Sequence, residues 1–84
     1  MATLFEYRKT LEIKQHHTIS AASIAHLAGI SRAQYSRYEH GQSIPNLLVA
    51  SKIAMALNLH LSDLVGIIRD TVEQEDNLST NNHI

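Results

Sequence analysis

Sixteen residues, 26–41, reading HLAGISRAQYSRYEHG, constrain the fold of this chain more than any others. Ile24, Leu27 and Ala28 form an apolar set at helical spacing and run directly into Gly29, a residue suited to the positive φ that stops a helix abruptly. Ile30 can then drop into a core beneath the turn. Ser31 is an N-cap candidate whose hydroxyl accepts from an early backbone N–H of the next helix. In that next helix Tyr35 and Tyr38 stand three apart and share one side, while Arg32, Ala33, Ser36 and Arg37 point elsewhere, with Gln34 among the outward polar residues. Two helices joined by a three-residue turn follow, the second packing with one side and offering the other.

At 84 residues the chain is one small domain whose core, alone, is marginally stable, so pairing of two copies would help it. The absence of cysteine excludes a disulfide framework and a thiolate metal site, and is compatible with a reducing cytoplasm. No long apolar run opens the sequence as a signal peptide would, and none approaches the ~20 residues of a membrane span, so a cytoplasmic protein without a membrane partner is expected. The net charge of −1 hides an asymmetry: residues 1–52 hold six Lys/Arg against three Asp/Glu, and residues 53–84 hold one against five. A basic front and an acidic rear fit a protein that meets phosphate with one face only.

Five helical segments and no strand are expected. Leu4, Arg8 and Leu11, with Tyr7 beside them, mark a first helix over about residues 2–14, with its exit at Gln15-His16-His17-Thr18. Ser20 caps a second helix ending at Ala28, and the third runs from Arg32 to about His40, ended by Gly41. Asn46 caps a fourth, which is expected to bury Leu47, Ala50, Ile53, Ala54 and Leu57, and Asn58 can take the left-handed conformation beyond it. The fifth opens near His60 to Ser62, carries Leu64, Ile67, Ile68 and Val72, and frays after Gln74. This divides the chain into a domain over 1–75, including that last helix, and a polar, aperiodic tail over 76–84 expected to be disordered.

With these residues in view, the chain resembles the Cro/repressor helix-turn-helix family, also called XRE or lambda-repressor-like. The likeness spans about residues 4–66. It is carried by Ile24-Ala25, by Gly29-Ile30-Ser31 at the turn, by Ser36-Arg37-Tyr38-Glu39-His40-Gly41, by Pro45, and by the run from Leu57 to Leu64, LNLHLSDL. The resemblance implies an all-α, five-helix DNA-binding domain without a cofactor. It also implies roles: Arg32, Ala33, Ser36 and Arg37 at base edges in the major groove, and Ser20, Gln34, His40, Gln42, Ser43 and Asn46 at phosphates. An Arg suits guanine, whose O6 and N7 accept two parallel N–H bonds, whereas Ala33 offers only contact to a thymine methyl. Phosphate contacts orient the protein without selecting a sequence. A structural ion pair between Glu39 and an Arg of the first helix is implied as well, and Arg8 is the candidate.

Two positions depart from the family pattern. Ala21 stands where a Gln usually clamps a phosphate, and Tyr35 stands where Ile or Val is usually buried, so its hydroxyl needs a partner.

Other chemistries find little support. Among six histidines, His16 and His17 are adjacent and point differently, while His26, His40, His60 and His83 lack i, i+4 pairing or an attendant acid cluster, so no metal site is expected. No nucleophile-elbow spacing and no Gly-rich phosphate loop is present, so no enzyme is expected. Leu64, Ile67, Ile68 and Val72 make more apolar surface than a terminal helix needs for so small a core, which suggests a dimer interface. A two-fold homodimer would set two reading helices one DNA turn, ~34 Å, apart on a palindromic site. The expected function is a transcriptional regulator that represses by occupying an operator on double-stranded DNA. The alternatives are the antitoxin of a toxin–antitoxin pair, whose acidic C-terminal end binds a protein partner, and a protein-interaction module that has kept the fold without DNA affinity.

Overall fold

The computed structural model describes residues 3–16 and 18–81, with side chains described through Gln74. Five helices make up the regular structure of the described residues: α1 (Leu4–Gln15), α2 (Ala21–Ala28), α3 (Arg32–Glu39), α4 (Leu47–Ala56) and α5 (Leu61–Asn81).

The first four begin on residues that satisfy their orphan N–H groups. Ser20, Ser31 and Asn46 accept from Ser23, Gln34 and Val49 at 3.0, 3.0 and 2.9 Å. The α1 start is tighter. The Thr3 hydroxyl accepts from the Glu6 N–H, and the Glu6 carboxylate accepts from the Thr3 N–H at 3.0 Å. This reciprocal capping box was legible in the sequence as T-x-x-E, and it moves the helix start to Leu4 from the expected residue 2. Left-handed residues punctuate the exits: His16, Gly29, Gly41 and Asn58.

Helix α2 packs on α3 and α4, and α5 closes the other side against α1, α3 and α4. Leu4, Ile24, Ala28, Tyr35, Ile53, Leu57 and Leu64 meet in the core. The two ends of the domain are joined by hydrogen bonding: the Leu4 N–H donates to the Thr71 hydroxyl at 2.9 Å, and that hydroxyl donates to the Ile67 carbonyl at 2.8 Å.

Three expectations are corrected. Leu47, expected inside, is 72% exposed. It occupies the first turn of α4, where the Cβ leans toward the helix N-terminus, beyond the elements that cover Ala50, Ile53 and Ala54. Leu64 and Ile68, expected at a dimer interface, are only 0% and 8% exposed within a single chain. The core reaches further along α5 than its size suggested, because α1, α3 and α4 all pack against that helix. The backbone of α5 is helical to Asn81, past the end expected at Gln74; no glycine or proline interrupts that stretch. Ala2, His17 and the tail residues 82–84 lie outside the described residues.

Candidate nucleic-acid interface

The turn between α2 and α3 is built from the backbone outward. Gly29, at φ 73°, donates to the carbonyls of Ala25 and His26, and the Ile30 N–H donates to the Ala25 carbonyl at 3.0 Å. These bonds satisfy the last carbonyls of α2 and fix the angle at which Ser31 starts α3.

Helix α3 then divides cleanly by face. Tyr35, Tyr38 and Glu39 are buried. Arg32, Ala33, Arg37 and His40 are exposed and Ser36 is half-buried, and the spacing of positions 32, 33, 36, 37 and 40 puts them in one stripe. Both arginines of α3 therefore point out, and its one acid points in.

The buried acid is held firmly. The Arg8 guanidinium donates to Glu39 through Nε at 2.6 Å and Nη2 at 3.2 Å, a two-point contact between side chains 7% and 4% exposed. Its Nη1 donates to the Ile19 carbonyl at 2.7 Å and to Glu12 at 3.2 Å. One arginine thus ties α1 to the C-terminal end of α3 and to the segment that leads into α2. The Glu39 carboxylate holds the guanidinium in its charged form even beyond the ordinary arginine range, against the opposing effect of burial.

Tyr35 sits beside this pair. Burial first, and then the neighbouring Glu39 carboxylate, raise its phenol far above the ordinary tyrosine range, so it is neutral at any physiological pH. Its hydroxyl lies near Glu39 and Arg8 but meets no group in hydrogen-bond geometry.

The residues expected at phosphates fall into two groups. Ser20 and Asn46 cap α2 and α4 and are exposed; each accepts with one oxygen and also carries a donor, the Ser20 O–H and the Asn46 Nδ2. His40 and Gln42 are exposed just beyond α3, where the Gln42 N–H donates to the Arg37 carbonyl at 2.8 Å. Gln34 is half-buried and spends one donor on the Tyr38 hydroxyl at 2.8 Å, which lays its amide along the helix. Ser43 is corrected: its hydroxyl oxygen is buried, with no partner, because the loop turns it inward. Ser43 therefore offers nothing to a phosphate in this conformation.

Sequence reading missed one contact at this interface. Phe5 of α1 stacks on His40, ring centroids 6.5 Å apart and 23° from parallel. Residues 35 positions apart give no periodic signal, so only the packing of α1 against α3 reveals the pair. Among the described residues no single helix is long and apolar enough to cross a membrane.

Comparison with known proteins agrees with this geometry. The Helix-turn-helix family model matches residues 6–64, which include the first four helices from Glu6 onward, the turn and the start of α5. No curated protein and no solved structure matches.

Proposed function

From the premise that the chain belongs to the XRE-type helix-turn-helix family and is a DNA-binding regulator of that type, we propose that it is a cytoplasmic repressor. In this reading it binds a palindromic operator as a homodimer and blocks a promoter by occupancy. The observation that carries the reading is the one-signed outer face of α3, where Arg32 and Arg37 stand exposed while Glu39 is turned inward onto Arg8. Arg32, Ala33, Ser36 and Arg37 are the proposed base contacts, and Ser20, Asn46, His40, Gln42 and the remaining polar atoms of Gln34 the proposed phosphate contacts.

The dimer surface proposed here omits Leu64 and Ile68. It uses Val65, which is 54% exposed, together with the half-buried Ile67 and Val72 on α5. A two-fold axis beside α5 places the paired α3 helices on successive major grooves.

One observation favours a protein partner as a second reading: Leu27, Leu48 and Met55 are 61%, 64% and 80% exposed on α2 and α4, away from the core. A patch of this kind suits a protein-interaction module that has kept the fold without DNA affinity. Selection of duplexes from a random pool at ~0.1 M salt separates the two, since salt sets the non-specific background. The repressor reading expects a motif with two-fold symmetry. Absence of any enriched motif contradicts it and favours the protein-partner reading.

A further inference from the structure

The outer stripe of α3 does not end with the helix. His40, its last member, carries the Phe5 ring on its imidazole, and the Phe5 ring in turn lies 5.7 Å from the Lys9 ammonium and 5.6 Å from the Arg8 guanidinium carbon. Both cation distances are within the range at which an aromatic face attracts positive charge. Arg8 is already committed to Glu39, Glu12 and the Ile19 carbonyl. Lys9 is not so committed. Its side chain is 52% exposed and its one ion pair, to Glu12 at 3.5 Å, is a surface pair of small worth whose carboxylate also accepts from Arg8.

Resting on the DNA-binding reading above, we propose that Phe5, Lys9 and His40 form a second phosphate-binding edge, with Lys9 as its contact residue and Phe5 as its positioning residue. The edge extends the α3 interface across the seam onto α1. The Phe5 ring, 40% exposed, meets the His40 ring and two cationic side chains. As a platform it holds the Lys9 side chain and the His40 ring against one surface, at lower entropic cost than two unsupported chains would incur. The Glu6 carboxylate is turned back onto the N–H and hydroxyl of Thr3, and among the described residues the ion pair of Lys9 is with Glu12. The edge selects no base. Its ligand is the DNA backbone, and it adds register and affinity that every sequence shares.

The test is titration of the full chain with its selected duplex and with a scrambled duplex, across about 50 to 200 mM salt. Lys9→Ala is expected to weaken both duplexes by the same factor and to reduce the salt slope by about 1. Phe5→Leu is expected to move affinity and slope in the same direction by a smaller amount at an unchanged melting temperature, and Phe5→Tyr, which keeps the ring, to restore both. If the wild type binds its motif while Lys9→Ala leaves affinity and slope unchanged, the edge is overturned and the DNA reading stands. If Phe5→Leu lowers the melting temperature and leaves the slope alone, Phe5 is packing and its positioning role is overturned. If the wild type shows no salt-dependent binding, the DNA reading fails and this edge with it.

Discussion

The inner face of α3 and the inner face of α5 do the same job with opposite chemistry. Helix α3 buries a tyrosine, a second tyrosine and a glutamate, and the glutamate is held by the Arg8 guanidinium. Helix α5 buries Leu64 and Ile68 and adds one hydroxyl, Thr71, to catch the start of α1. Apolar contact is non-directional, so α5 can settle wherever area is covered. The two-point contact from Arg8 fixes direction as well, which the proposed role of α3 at base edges requires. The comparison teaches that the polar seam sets where α3 points, and the apolar seam sets how firmly the domain holds.

The largest effect should come from breaking the polar seam. Glu39→Ala leaves the Arg8 guanidinium buried without its main partner and is expected to cost about 3–5 kcal/mol in denaturant unfolding. A loss under about 1 kcal/mol, the range of an exposed pair, would show that the seam does not stay dry in solution. Leu64→Ala probes the apolar seam. It is expected to cost about 2–5 kcal/mol, and the cost should be independent of protein concentration because the side chain is filled within one chain. A cost that appears only at concentrations where copies associate would return Leu64 to the interface between them.

A smaller effect is expected at the α1 cap. The Thr3 N–H, and then its hydroxyl, hydrogen-bond to the Glu6 carboxyl and lower its pKa. A lowered carboxyl pKa contributes stability above the ordinary value, and that contribution fades as pH falls through the lowered one. The melting temperatures of wild type and Glu6→Gln should therefore differ at about pH 7 and converge toward about pH 3. A constant difference would mean that the cap works without the charge. Thr3→Ala should cost about 1 kcal/mol at neutral pH.

How much of this was legible in sequence depended on the range of the signal. The turn was written locally: Gly29 takes the left-handed conformation, Ser31 caps, and Asn46 and Asn58 act as their types suggest. The capping box at Thr3 and Glu6 is equally local, but its T-x-x-E signature stands between Ala2 and Leu4, which also suit a helix. The errors lay where a side chain's environment is decided by a distant element. Leu64 and Ile68 form an apolar stripe that a second copy or the chain's own core could cover, and spacing along one helix does not say which. Ser43 reads as a polar loop residue and is turned inward. Phe5 and His40 belong to no common pattern until α1 lies against α3.

The central claim is that α3 reads DNA with a face that carries no part of the fold. Measuring the melting temperature and the affinity for the selected duplex on the same preparation of Arg37→Ala tests it most directly. The account predicts an unchanged melting temperature with a loss of about 1–3 kcal/mol of discrimination at one operator position. Discrimination retained at every position, or lost only together with stability, would contradict it.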